Sequence, residues 1–136
     1  MSHIYGGGIN WTSDTIKLAL TTSSYAVSQA NDEFFSDVTN ELAGTGGYTS
    51  GGVTLSSKST NYDSSSREYQ FIAGNVSIAT LTPSSAFRYA VVYKSTGTAA
   101  TSPLIAYINF GADQNPSGLN FGIVWASTGV WYAQAS

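Results

Sequence analysis

Apolar and polar side chains alternate along several short stretches of the chain. Residues 15–20 set Ile16, Leu18 and Leu20 on one face and Lys17 and Ala19 on the other, and a period of two over an apolar triplet predicts a half-buried strand. Residues 67–73 do the same, with Tyr69, Phe71 and Ala73 against Glu68, Gln70 and Ile72. A strand over residues 76–81 follows, and the Gly74-Asn75 step between the two predicts a tight hairpin turn. Residues 89–93 are apolar throughout, which predicts a strand covered on both faces. Residues 104–110 place Leu104, Ala106, Ile108 and Phe110 together, opposite Ile105, Tyr107 and Asn109. Residues 121–125 and 130–133 are expected to close the chain as a hairpin around Ser127-Thr128-Gly129, and residues 53–55 bring the total to about eight strands.

One stretch departs from this pattern. Asn31 is a fair helix N-cap, Asp32 and Glu33 suit the positive end of a helix dipole, and Phe34, Val38 and Leu42 recur every four residues before Gly44. Val38, Asn40 and Leu42 also alternate, so a short helical turn leading into an extended segment fits equally well. The remaining punctuation is Gly44-Thr45-Gly46-Gly47, Gly51-Gly52, and polar runs over residues 59–66 and 95–102, all read as loops. The expectation is an all-β domain, a β-sandwich or jelly roll with at most one short helical turn. It would span residues 10–136 behind a flexible N-terminal arm over residues 1–9.

Composition adds to this picture. Ser and Thr make up 36 of 136 residues, beside 14 Gly and nine Tyr, with 10% charged residues and a net charge of −3. That is a β-rich palette with turn-forming connections. The five Lys and Arg residues form no basic patch, which argues against nucleic acid as a partner. No apolar run approaches the roughly 18 residues of a membrane span, so no membrane partner is expected. Cysteine is absent, which removes disulfides, thiolate metal sites and cysteine nucleophiles, and suits assembly in a reducing cytosol.

Candidate chemistry is sparse. The one histidine, His3, stands beside Gly6-Gly7-Gly8 with no partner nearby to orient an imidazole, so triads and most zinc sites lack their usual parts. Glu33, Asp37 and Glu41 are four apart, and a helix would put them on one face as possible oxygen ligands for calcium; a solvated acidic face is the plainer reading. Asp14, Asp63, Glu68 and Asp113 are the material from which a glycosidase pair would be drawn. The glycines of residues 44–52 lack the ending of a phosphate loop and are better explained as positive-φ turns. Asn10-Trp11-Thr12 and Asn75-Val76-Ser77 match the glycosylation sequon without a secretory signal to give them meaning. Three tryptophans and the tyrosines offer material for a sugar-stacking platform: Trp125 groups with Phe121 and Ile123 as core, while Tyr48 and Tyr62, in loops, are the candidates for exposed contacts. No cofactor and no catalytic residue are expected.

Three segments form a recognisable set. Asp14-Thr15-Ile16-Lys17-Leu18-Ala19-Leu20 leads through Tyr25 to Asp32; Phe34-Phe35-Ser36-Asp37-Val38-Thr39-Asn40-Glu41-Leu42 then precedes Gly44-Thr45-Gly46-Gly47-Tyr48-Thr49-Ser50-Gly51-Gly52-Val53-Thr54-Leu55. Later, Arg88-Tyr89-Ala90-Val91-Val92-Tyr93-Lys94 precedes Ser102-Pro103-Leu104-Ile105-Ala106-Tyr107-Ile108-Asn109-Phe110-Gly111. The pattern resembles small virion proteins encoded in tailed-bacteriophage structural gene clusters, some of them head decoration, cement or fibre proteins. It covers roughly residues 10–125, and it departs from the usual Gly-Thr-Gly-Tyr by the extra glycine at Gly46-Gly47. The resemblance implies a non-enzymatic protein with no cofactor, located in the virion after assembly in the bacterial cytoplasm. It further implies the major capsid protein as partner and a homotrimer as the oligomer. The candidate contact residues are Phe34, Phe35, Asp37, Glu41, Tyr48 and Tyr62. The alternative is a tail-associated adhesin that binds tail proteins and a host glycan; a β-sandwich hydrolase is the third reading.

Overall fold

The alternating runs become strands that pair antiparallel throughout. The computed structural model describes residues 8–126 and 129–134. Most of the arm expected over residues 1–9, with His3, lies outside the described residues, as do Ser127 and Thr128 of the expected closing loop. Nine strands occur among the described residues: β1 (Ile16–Thr21), β2 (Val53–Thr54), β3 (Ser59–Asp63), β4 (Glu68–Ile72), β5 (Val76–Leu81), β6 (Phe87–Lys94), β7 (Leu104–Gln114), β8 (Leu119–Ile123) and β9 (Trp131–Gln134). β2 is only two residues long, which leaves eight of substantial length. The helical content is two 3-10 turns, Phe35–Asp37 and Ala99–Thr101. The stretch after Asn31 is therefore the short turn with an extended continuation, and Glu41 bridges Thr21 at its end.

The strands form a four-stranded sheet in the order β2-β1-β6-β7, a three-stranded sheet β3-β4-β9 and a ribbon β5-β8. One core lies between the four-stranded sheet and the other two: Ile16, Leu18, Leu20, Ala90 and Val92 meet Ala73, Val76, Ile78, Leu81 and Ile123, with Trp11 at one end. Phe87, Phe110 and Phe121 pack edge to face within it. Ala19, Val91, Tyr93 and Leu104 form a second core on the opposite face of the same sheet, completed by Tyr25. The apolar run of β6 is thus covered on both faces, as its pattern predicts. The result is an all-β, sandwich-like fold with one additional covered face.

Four local expectations are corrected. β4 and β5 are not a hairpin: β4 pairs with β3 and β9, while β5 pairs with β8. A two-residue hairpin turn needs positive φ, and neither Gly74 nor Asn75 has it. Instead these residues turn a corner between sheets, with the Trp125 indole N–H donating to the Gly74 carbonyl at 2.9 Å. β8 and β9 likewise belong to different sheets and do not pair as the expected closing hairpin, although Ala126 and Gly129 bridge across its loop. Residues 59–66, read as a loop, contain β3, whose register against β4 sets Tyr62 beside Tyr69 and Thr60 beside Phe71. Finally, Leu104 and Ala106 do not share a face. A bulge puts Tyr93 opposite Leu104 but Val92 opposite Ala106, so Ile105 is the extra residue and turns inward to the larger core.

Thr21 is fully buried, and its Oγ1 has no hydrogen-bond partner among the described residues. Valine has nearly the same shape without the polar atom. Thr21→Val is expected to stabilise the fold by about 1 kcal/mol, read as a melting temperature higher by about 4 °C. A comparable fall would mean that the hydroxyl is bonded in solution.

Candidate functional site

The stretch over residues 25–42, an acidic-aromatic segment, lies flat over the outer face of the four-stranded sheet. Its apolar side chains Tyr25, Val27, Phe35 and Val38 turn inward onto Val91, Tyr93 and Leu104. The Phe35 ring stacks on Tyr93 with centroids 4.1 Å apart and planes at 7°. Carboxylates hold the backbone in place. Asp37 Oδ2 accepts the N–H groups of Glu33 at 2.9 Å and Phe34 at 3.0 Å. These bonds, from Phe34 first and Glu33 second, favour the charged form and hold its carboxyl below the ordinary carboxylate range. Asp32 Oδ2 accepts the Tyr25 hydroxyl at 2.7 Å and the Ser28 N–H at 3.0 Å. Phe34 bridges Pro103, and the Glu33 carbonyl accepts the Leu104 N–H at 2.9 Å, tying the segment to the start of β7. Glu33, Ser36, Asp37, Thr39 and Asn40 face solvent.

Tyr48, expected as an exposed loop contact, is instead 3% exposed. Its loop folds back under the sheet edge because positive-φ glycines on either side, Gly46-Gly47 and Gly51-Gly52, reverse the chain twice. The Tyr48 hydroxyl donates to Glu41 Oε2 at 2.6 Å and accepts the Leu20 N–H at 3.1 Å. Glu41 Oε2 also accepts the Gly51 N–H at 2.6 Å, and the Tyr93 hydroxyl donates to the Gly51 carbonyl at 2.5 Å. Burial, then the bond to Glu41, pushes the Tyr48 hydroxyl far above its ordinary pKa, so it stays a donor. Burial, with the Glu41 charge second, pushes Tyr93 up to about 12. Glu41 and Tyr48 are thus pieces of one internal clamp.

The Glu33, Asp37 and Glu41 carboxylates do not line one helix face, since the segment is not helical. Asp37 turns back to its own backbone and Glu41 turns to the clamp. The other carboxylates also have separate partners: Asp113 pairs with Arg88 at 3.0 Å, Asp63 accepts from Ser65 and Ser66 in the β3–β4 turn, Glu68 accepts from the Gln70 amide at 3.3 Å, and Asp14 pairs with Lys94 at 3.1 Å.

Tyr62 is exposed as expected, at 56%, and is not alone. Tyr69, 46% exposed, lies beside it with centroids 6.3 Å apart. Phe71 follows at 5.6 Å from Tyr69, and Trp11 meets Phe71 edge-on at 6.0 Å. This aromatic row crosses β3 and β4 and ends in a groove of about 570 Å³ lined by Gly8, Asn10, Trp11, Asp14, Thr60, Tyr69, Phe71 and Lys94, among others. The opposite wall is built by the turn before β1. Asp14 Oδ2 accepts the Asn10 N–H at 2.6 Å, Asn10 Oδ1 accepts from Thr12 and Ser13, and the Trp11 indole N–H donates to the Ile72 carbonyl at 2.9 Å. Lys94 donates to the Gly8 carbonyl at 2.8 Å, while Lys58 donates to the Asp14 carbonyl. Burial acts to raise the Asp14 pKa, but the Asn10 bond and the two lysines outweigh it and leave the carboxyl lowered.

Of the six sequence candidates, the structure places Phe34, Phe35, Asp37 and Glu41 in the acidic-aromatic segment, Tyr48 in the interior and Tyr62 on the distant β3–β4 face. Compared with known proteins, the chain matches no family model, no curated protein and no solved structure. The groove residues Asn10, Asp14, Tyr69 and Lys94 were not foreseeable as a group, since they come from four separate stretches of sequence. The available signal was Trp11, a large aromatic outside every predicted strand.

Proposed function

We propose that this chain is a non-enzymatic virion structural protein of a tailed bacteriophage, a head decoration or cement protein that binds the major capsid protein and stabilises the lattice. The observation that carries this reading is the form of the acidic-aromatic segment, whose residues 34–42 belong to the middle motif of the resemblance. Its apolar side chains anchor it to the sheet, its carboxylates fix its backbone, and its polar outer side is left presented as a preformed plate. A preformed surface loses little conformational entropy on docking. Abundant hydroxyls and few charges suit broad hydrogen-bonded contacts. Each copy, in a homotrimer, would bridge adjacent capsid subunits through about 800 Å² per partner, and repetition over the lattice multiplies a modest contact.

Glu33 and Thr39 are exposed and, unlike Asp37, have no side-chain role in holding the plate. Glu33→Lys combined with Thr39→Lys is expected to weaken binding to shells stripped of the protein by at least about tenfold. The melting temperature should stay within about 2 °C of the parent. Unchanged shell binding, measured by co-sedimentation, would place the docking surface elsewhere.

A further inference from the structure

The groove beside Tyr69 combines an aromatic wall with a wall of unused polar atoms. Asn10 Oδ1 is occupied, but the Asn10 amide nitrogen, Asp14 Oδ1 and Thr60 Oγ1 have no partner among the described residues. Lys94 spends two protons on the Gly8 carbonyl and Asp14 Oδ2, leaving a third. Donors and acceptors are therefore both on offer; among the described lining residues Lys94 and Asp14 pair with each other, and Lys58 is bonded to the Asp14 carbonyl behind them. From this arrangement we propose that the groove binds a neutral hexopyranose oligosaccharide.

The chemistry on each wall is the reason. A pyranose ring has an apolar C–H face and a rim of hydroxyls, each able to donate and accept. The exposed ring of Tyr69 offers a flat amphipathic surface for the first, and Asn10, Asp14, Thr60 and Lys94 meet the second. A volume of about 570 Å³ falls in the range of small-molecule sites. Tyr62 continues the aromatic wall beyond the groove, so a second ring of the same oligosaccharide meets a second stacking surface. The inference stands on this groove alone and does not depend on the virion reading.

The test is an NMR titration of the full chain with maltotriose, cellotriose and triacetylchitotriose, following Asn10, the Trp11 indole N–H and Tyr69. Saturable shifts at these positions with at least one sugar, at a millimolar or tighter Kd, are expected. Tyr69→Ala should weaken that binding at least about tenfold, Tyr69→Phe should keep it within about threefold, and Thr60→Val should weaken it about threefold or more. Tyr62→Ala, at the more exposed position, gives an independent loss of stacking if Tyr69→Ala does not fold. The proposal is overturned if none of the three sugars shifts these resonances at about 10 mM, or if binding is indifferent to the tyrosines. It is also overturned if the aromatic row mediates self-association that the sugars do not displace, read by sedimentation.

Discussion

Gly52→Ala is expected to lower the melting temperature by more than about 15 °C, corresponding to a loss above about 4 kcal/mol. Two effects coincide there. Gly52 has φ +89°, a conformation that side chains rarely adopt, and an added Cβ would lie 1.9 Å from the Leu18 carbonyl oxygen and 2.5 Å from its carbon. Those atoms belong to the central strand β1 and cannot yield. The chain would have to lift β2 away from β1, breaking the Leu18–Val53 register and loosening the loop that carries Tyr48. Gly97 is the internal control: it has the same φ of +89°, but an added Cβ would meet nothing within 4 Å. Gly97→Ala should therefore cost only the backbone term, about 1–2 kcal/mol. Equal effects at the two positions, read by thermal unfolding, would mean that the close approach at Leu18 is not present in solution.

Tyr48→Phe is expected to cost about 3 kcal/mol, a fall of about 10 °C in melting temperature. The deleted hydroxyl bridges a carboxylate and a main-chain N–H, so its removal leaves Glu41 short of a donor and the buried Leu20 N–H without its acceptor. The loss of such partners inside a protein exceeds the net worth of an ordinary hydrogen bond. Glu41→Gln should be less than additive with it, since both break the same clamp. A fall of less than about 3 °C for Tyr48→Phe would show that water replaces the hydroxyl and that the loop is open.

The strands that the sequence declares are those with a buried face. β1 and β5 alternate and β6 is apolar throughout, because each must supply one or both cores. β3 carries no such signal: Ser59, Thr60, Asn61 and Tyr62 are all exposed, and the strand exists through its ladder to β4. The pairings on either side of Gly74-Asn75 and of residues 126–129 escape the local pattern for a related reason. Gly74-Asn75 is a common hairpin dipeptide, but β4 is already paired with β3 on one edge, and its other partner β9 and the partner of β5, β8, come from far along the chain, where local composition does not encode them. A one-residue bulge at Ile105 similarly reverses the faces of β7 without any local mark.

The candidate site was legible in the same uneven way. Tyr62 is exposed because it follows a polar stretch on an edge strand, and that is visible in the sequence. Tyr48 has comparable polar neighbours, yet the turns around it carry its ring inward to a carboxylate seven residues earlier. Tyr69 alternates with Phe71 and Ala73 as if all three faced one core, but burial increases along the row from Tyr69 to Ala73 because only its far end reaches the larger core.

Antibody labelling of intact virions, scored in the electron microscope for heads against tails, tests the decoration reading most directly. Dense, regular labelling over the head and none along the tail is the predicted result. Labelling confined to the tail tip or fibres would contradict it, and so would unlabelled virions when the antibody binds the free, folded protein.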